Sequence, residues 1–340
     1  MLSLSWFVCL YVSLSLFFSL SLDSFLCLSF LPDGELVEEN FDVIIGNDGA
    51  FSAVRNQLMK TTRFDFQQCF IPHGYMELTI PPNSKGDFAM ESNCLHIWPR
   101  EEFMMIALPN LDRSFTTTLF MPFEIFESIH NEDDLINFFQ KVFPDSIPFI
   151  GKQELIKTFL SRKALPLVSV KCKPYNKEGK VVIMGDAAHA MVPFYGQGMN
   201  AGFEDCLILE KFLNECNDNF DEALTKYSQF RHVDAISICD LAMYNYVEMR
   251  SLVNSKLFLL RKSLDNLLNK IFPSSWIPLY TMVSFSQIRY HECVENKKWQ
   301  DQLLKRISKI ITALSVSSLG FLLWIQRMNI ISLLQEYGLM

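Results

Sequence analysis

The pattern of apolar and polar positions divides the chain into stretches of different character. Residues 1–31 are dominated by Leu, Ser and Phe, and residues 1–22 carry no charged side chain. From Pro32 onward the pattern becomes that of an ordinary globular protein. The apolar run Phe41 to Ile45 predicts a buried strand, Gly46-Asn47-Asp48-Gly49 a turn, and the residues from about Ser52 a helix. Between residues 70 and 125, Tyr75-Met76-Glu77-Leu78-Thr79-Ile80, Phe103 to Leu108 and Phe115 to Phe120 are separated by Pro, Asn and Gly, which predicts a mostly antiparallel sheet. A helix is expected over about 131–142, ended by the Pro144 to Pro148 stretch. Val181 to Met184 reads as a second buried strand, leading through a Gly-rich loop into a helix at about 199–214. The region 222–272 reads as helical.

The two ends depart from this pattern. Ile310 to Ile325 is uncharged, preceded by Lys297, Lys298, Lys305, Arg306 and Lys309 and followed by Arg327. That run is slightly short of the roughly 20 residues needed to cross a bilayer, so a short span with snorkelling ends is expected. A buried core helix is the alternative; the basic flank on the N-terminal side favours an anchor with the main body in the cytosol. At the other end the first Lys or Arg is Arg55, which suits neither the basic start of a secretory signal nor an Arg-rich transit peptide. Three readings of 1–31 stay open: an atypical signal or anchor, a low-complexity leader, or a misassigned start, the last being preferred.

Composition narrows the partners. The net charge is −8, and no Lys/Arg cluster is interleaved with aromatics as a nucleic-acid groove requires, so no nucleic-acid partner is expected. The nine cysteines are scattered, with no C-x-x-C pair and no His at ligand spacing. Reduced structural thiols are expected rather than a disulfide framework or a metal site.

The densest chemistry lies in Gly185-Asp186-Ala187-Ala188-His189-Ala190, then Pro193, then Gly196-Gln197-Gly198-Met199-Asn200-Ala201-Gly202. Here a strand delivers a carboxylate into a tight turn, and a Gly-rich loop opens onto a helix N-terminus. The carboxylate can accept hydrogen bonds from sugar-alcohol hydroxyls. The helix start offers free N–H groups and a positive dipole end to an anion. Gly196-x-Gly198-x-x-Ala201 also matches a dinucleotide fingerprint, but the loop lies too far past its strand, and no second strand ending in an acid follows. Earlier, Gly46 to Arg55 forms an Asp-Gly turn in which Asp48 can cap the next helix while the glycines allow close backbone approach.

Together these two motifs resemble those of the FAD-dependent aromatic-ring hydroxylase family. Within it, Ile71 to Ile80, Leu95 to Arg100, Met243 to Arg250 and Pro278 to Val283 resemble the branch acting on L-kynurenine, and the similarity runs from about residue 36 to the apolar tail. The resemblance implies that Asp186 binds the ribityl chain of FAD, that Gly198, Met199 and Asn200 contact the flavin, and that Asp48 and Ala53 belong to the segment supporting FAD and the transient NADPH site. It also implies that Asn245 and Tyr280 hold the substrate carboxylate, with Met249 lining the aromatic pocket; ordinary core hydrogen bonding is the alternative for that pair. No residue is assigned acid–base or nucleophilic catalysis, and His189 reads as a packing or turn residue.

The expected fold is mixed α/β. It combines a partial FAD-binding three-layer domain with an antiparallel-sheet substrate domain, C-terminal helices and a hydrophobic tail. The segments are a leader (1–31), a residual FAD/NADPH-binding segment (32–65), the substrate-domain sheet (66–165), an FAD-binding return (166–215), a helical region (216–298) and an anchor tail (299–340). The family's opening β-α-β unit with G-x-G-x-x-G is not found in this sequence. Two outcomes are therefore expected as alternatives: an NADPH- and O2-dependent hydroxylase of L-kynurenine at the mitochondrial outer membrane facing the cytosol, or an inactive membrane-tethered form of it. A different FAD-dependent monooxygenase is the third.

Overall fold

Val43–Gly46 (β5) and Val181–Ile183 (β12) are distant in sequence yet lie side by side and parallel in the computed structural model, with Gly46 opposite Ile183. The structure describes residues 7–10, 19–21, 26–30, 37–61 and 63–336, and it separates into two units, residues 1–264 and 265–340. In the first unit β5 and β12 are the centre of a four-stranded sheet. Phe7–Leu10 (β1) pairs parallel with β5, and Asn176–Lys177 (β11) pairs antiparallel with β12. The central strands are short, apolar and β-branched, as strands of a covered parallel sheet should be. Helices Ala53–Thr61 (α1), Gly198–Glu215 (α7) and Phe220–Arg250 (α8) contribute Val54, Leu58, Leu209, Phe212, Leu224 and Tyr227 to one core with Ile44, Val182 and Ile183. Gly46 permits the closest of these approaches, because a Cβ there would meet Val54 Cβ at 2.8 Å.

The expected single strand Phe41 to Ile45 is in fact two. Val37–Phe41 (β4) belongs to an antiparallel sheet with Ser19–Ser21 (β2) and Leu26–Phe30 (β3), and the chain bends at exposed Asp42 before entering β5. A charged residue ends the apolar alternation there, so the run of side chains spans two sheets. Most of the expected leader lies outside the described residues.

A second, five-stranded antiparallel sheet follows. Its strands are Asp65–Ile80 (β6), His96–Arg100 (β7), Phe103–Pro109 (β8), Phe115–Pro122 (β9) and Leu165–Lys173 (β10), in the order β10-β6-β9-β8-β7. Pro99 sits on the edge strand β7, where its missing N–H costs no ladder bond. Four helices, Phe123–Ser128 (α2), Glu132–Val142 (α3), Ile147–Ile150 (α4) and Lys152–Ser161 (α5), cover one face. Their Phe126, Leu135, Phe139, Leu155 and Phe159 pack with Met76, Leu78, Phe115 and Leu119. The α3 start is fixed by Asn131, whose side chain accepts from Asp134 N at 2.9 Å. β10 returns the chain from this sheet to β12, so the two sheets are linked twice, through α1–β6 and through β10–β11.

The second unit contains the end of Lys256–Ile271 (α9), Leu279–Phe285 (α10) and the long Tyr290–Glu336 (α11). Trp276 is its buried centre: its indole N–H donates to Asp265 Oδ1 at 3.0 Å, and Asn269 Nδ2 donates to its carbonyl at 2.7 Å. Fully buried Gln300 ties α11 to the preceding loop by donating to the Ile277 carbonyl at 2.9 Å. Beyond that point α11 is long and apolar enough to cross a membrane, and none of its apolar window is buried.

Candidate cofactor site

Parallel pairing of β5 and β12 sends both strands out at the same sheet edge, so the two loops that follow become neighbours. Ligands of open α/β sheets bind at such carboxyl ends. Met184 N donates to the Gly46 carbonyl at 3.0 Å, continuing the pairing one residue past the strands. Asn47-Asp48-Gly49 then faces Gly185-Asp186.

Asp48 is fixed by the helix it caps. Ser52 Oγ donates to its Oδ1 at 2.6 Å, and the Ala53 and Val54 amides donate to its Oδ2 at 2.7 and 3.1 Å. Arg55, 1% exposed, joins the two loops: Nη1 donates to the Ala187 carbonyl and Nη2 to the Ala50 carbonyl, each at 2.7 Å. Burial lowers the Arg55 guanidinium from its ordinary value, opposed by Cys172 and Asp48.

The second loop depends on Gly185. Its φ of +57° and ψ of −142° suit glycine, and a Cβ would meet Asn47 Oδ1 at 2.9 Å. Gly185→Ala is expected to destabilise the first unit by about 1–3 kcal/mol, read as a shift of the urea midpoint; an unshifted midpoint would mean the turn is not held in this conformation. Asp186 follows at the start of the single-turn helix Asp186–His189 (α6). It is solvent-accessible yet crowded by protein, as expected on a cavity wall. That crowding raises its carboxyl from the usual range, and His189 opposes the rise.

Behind this loop sits a buried network that sequence reasoning did not find. Asp205 is 0% exposed and lies on α7. Its Oδ2 accepts from Gly185 N at 2.8 Å and from His189 Nε2 at 2.7 Å, and its Oδ1 accepts from Arg231 Nε at 2.6 Å. Arg231 also donates to the Ala201 carbonyl at 2.9 Å and pairs with Glu204 at 2.7 Å. Burial by itself would push the Asp205 carboxyl up; His189, Arg231 and the Gly185 amide outweigh it and hold the carboxyl below its usual range. The available signal was periodicity. Ala201, Asp205, Leu209 and Phe212 share the buried face of α7, and Tyr227, Arg231, Asp234 and Ile238 that of α8. One acid and one guanidinium at core positions imply a pair.

The loops and the α7 start enclose a cavity of about 690 Å³ lined by Asn47, Asp48, Gly49, Gly185, Asp186, Met191, Pro193, Gly196, Gly198, Met199 and Gly202. That volume is within the range of small-molecule and cofactor sites. Gly196 takes a left-handed φ of +68°, which turns the chain into α7. No side chain caps α7, and nothing lies within 4 Å of where a Cβ would sit on Gly198 or Gly202. The first amides of α7 and its positive dipole end are therefore available to an anionic ring edge. With the Asp186 acceptor opposite, the residues fit a flavin carrying a polyol chain.

Of the residues expected at the cofactor, Asp48, Asp186, Gly198 and Met199 line this cavity. Ala53 and Asn200 do not: the Ala53 amide is spent on Asp48, and Asn200 Nδ2 donates to Gln197 Oε1 at 3.1 Å. Among the residues expected at the substrate, Asn245 is buried on α8. Its Nδ2 donates to the Phe194 carbonyl at 2.8 Å and lies 3.4 Å from Met249 Sδ, one turn on. Tyr280 belongs to the second unit, 49% exposed on α10, with its ring 6.0 Å from that of Phe285. Among the described residues no cluster of His, Cys, Asp or Glu is arranged to hold a metal ion.

Comparison with known proteins agrees with this geometry. The chain belongs to the FAD-binding-domain family, whose model matches residues 38–242. Its sequence is similar to kynurenine 3-monooxygenase of Anopheles gambiae, 54% identical over 279 residues (82% of this chain, 57% of the relative), and to that of Sus scrofa, 55% identical over 263 residues (77% and 56%). The chain thus spans well under two thirds of the length of these relatives. In fold it is similar to 2-methyl-3-hydroxypyridine-5-carboxylic acid oxygenase, with TM-score 0.52, 21% identity, and coverage of 66% of this chain and 59% of that one. It is also similar to the tetracycline destructase Tet(51), with TM-score 0.50, 17% identity, and coverage of 77% and 69%.

Proposed function

We propose that this chain carries the flavin-holding and substrate-facing parts of an NADPH- and O2-dependent monooxygenase that converts L-kynurenine to 3-hydroxykynurenine in tryptophan catabolism. The observation that carries the reading is the meeting of the Asp48 and Asp186 loops with the uncapped start of α7 around one cavity. Identity above 50% to kynurenine 3-monooxygenases supports this choice of substrate. When bound, FAD would supply the redox chemistry, passing reducing equivalents from NADPH to O2 so that one oxygen atom enters the aromatic ring. The chain's own share is positional. Asp186 accepts from the polyol hydroxyls, Gly198 and Met199 present backbone amides to the anionic ring edge, and Asp48 holds the facing loop closed. On the substrate side, Asn245 would donate to the carboxylate and Met249 would line the ring pocket. Of the two Asn245 contacts, the weak one to Met249 Sδ is the one a carboxylate would displace. Anchoring through α11 at the mitochondrial outer membrane, with the body in the cytosol, fits the basic residues before the apolar run.

The second reading, a membrane-tethered form without flavin, is favoured by the exposed apolar stripe Met199, Phe203 and Leu207 on α7 (72%, 65% and 66%). One measurement separates the two. The chain is purified in mild detergent with added FAD, desalted, and its visible absorbance recorded, followed by kynurenine-dependent NADPH oxidation. Retention of roughly one flavin per chain with turnover is expected; a folded, colourless product would replace the first reading with the second.

A further inference from the structure

The apolar part of α11 is preceded by a group of exposed cations. Lys305, Arg306 and Lys309 are all exposed, and among the described residues no carboxylate pairs with any of them. The ion pair nearest along the helix is Lys297 with Asp301, at 3.1 Å. After Asp301 the sequence has no Asp or Glu until Glu336. Residues 265–340 contain eight Lys or Arg against five Asp or Glu, although the whole chain is at −8. Positive charge is therefore concentrated in the unit that carries the apolar helix.

Within α11 the arrangement is costly without a counter-charge. Lys305 and Lys309 are one helical turn apart, a like-charge spacing that weakens an isolated helix, and Arg306 adjoins them. The residues that follow are apolar and open: Ile310, Ile311, Leu314, Val316, Leu319, Phe321, Leu322 and Leu323 are each more than half exposed. Arg327 closes the apolar run at its far end. Lys309 and Arg327 are about 27 Å apart along the axis at ~1.5 Å per residue, close to the hydrocarbon thickness of one bilayer. Such a helix places Lys305, Arg306 and Lys309 at the level of the headgroups on its N-terminal side. We infer that these three residues form a recognition site for anionic lipid headgroups, so that the anchor selects negatively charged membrane surfaces and does not merely enter any bilayer. This inference rests on reading α11 as a membrane anchor.

Distance gives it a graded consequence. Lys298 lies on the same face of α11 but about 16 Å further from the apolar run than Lys309. Surface potential decays within a Debye length, about 8 Å at physiological salt, so Lys298 should matter much less. In the test, the full chain, delivered from detergent, is mixed with vesicles of phosphatidylcholine alone or with about a third phosphatidylserine, and bound protein is measured by flotation. The unaltered chain is expected to bind the anionic vesicles at least about ten-fold more tightly, with the preference shrinking in high salt. Lys305→Gln/Arg306→Gln/Lys309→Gln should bind both vesicles equally, whereas Lys298→Gln should keep most of the preference. All four positions are exposed, and circular dichroism verifies that the variants stay helical. Equal binding of the unaltered chain to both vesicles, or a preference that survives the triple substitution, would overturn the headgroup site and leave the anchor standing. Failure to bind either vesicle would remove the anchor reading and the site with it. Loss of the preference in inorganic phosphate, but not in chloride of equal ionic strength, would replace the lipid surface with a free-anion site.

Discussion

Asp205→Asn should destabilise the first unit by about 3 kcal/mol, the lower end of the cost of breaking a buried ion pair, because Arg231 keeps its second partner Glu204. The argument rests on hydrogen-bond type as well as charge. The three groups that meet Asp205, namely Gly185 N–H, His189 Nε2–H and Arg231 Nε–H, are all donors, and a carboxylate is acceptor-only. Asparagine has nearly the same shape but turns an NH2 group toward one of those donors and removes the charge facing Arg231. Thermal unfolding followed by circular dichroism should show a fall in Tm of roughly 10 °C. A fall of only a degree or two would show that the network is not held as described. The pH dependence has a definite sign. The folded Asp205 carboxyl is held below its unfolded value, so its contribution is present above about pH 4 and is lost as pH falls through the folded value. The difference between the unaltered chain and Asp205→Asn should therefore shrink in acid.

That network shows where sequence reading stops. The strand–turn–helix around Asp48 and the strand–loop–helix after Val181 were legible because glycine and a capping acid fix local geometry within a few residues. The α3 boundaries followed from the same kind of local signal. The adjacency of the two loops was not written locally. It comes from β5 and β12 pairing in parallel with Gly46 opposite Ile183, a long-range register that motif order implies only through family resemblance. Asp205 and Arg231 lie on different helices, and each alone reads as a solvated charge; only their positions on the buried stripes mark them. The division of Phe41 to Ile45 between two sheets was missed because hydrophobic periodicity reports burial, not the identity of the sheet. Asn245 shows the opposite limit. Its residue type suits a carboxylate, yet its strongest contact in the fold is the Phe194 carbonyl, so in the structure it supports the loop before Gly196.

Asp186→Asn should separate stability from function. Asp186 lines the cavity and carries a carboxyl raised from the usual range, chiefly by burial. A raised carboxyl is a liability for the empty protein: its ionised form is disfavoured in the fold, and stability is lost as pH rises from the unfolded value near 4 through the folded one. Removing the charge should leave the flavin-free chain as stable as before at neutral pH, or slightly more so. The same change should weaken FAD binding by about 10- to 100-fold, because hydrogen bonds from hydroxyls to a charged acceptor contribute about 1.5–3 kcal/mol and the amide replaces only part of that. Titration of FAD, followed by quenching of its fluorescence, and thermal unfolding without FAD together decide the matter. If Tm falls as far as for Asp205→Asn, Asp186 is a structural residue of the turn rather than the cofactor's acceptor. If affinity and Tm are both unchanged, the polyol chain does not meet Asp186, and the cavity between the two loops would need a different ligand.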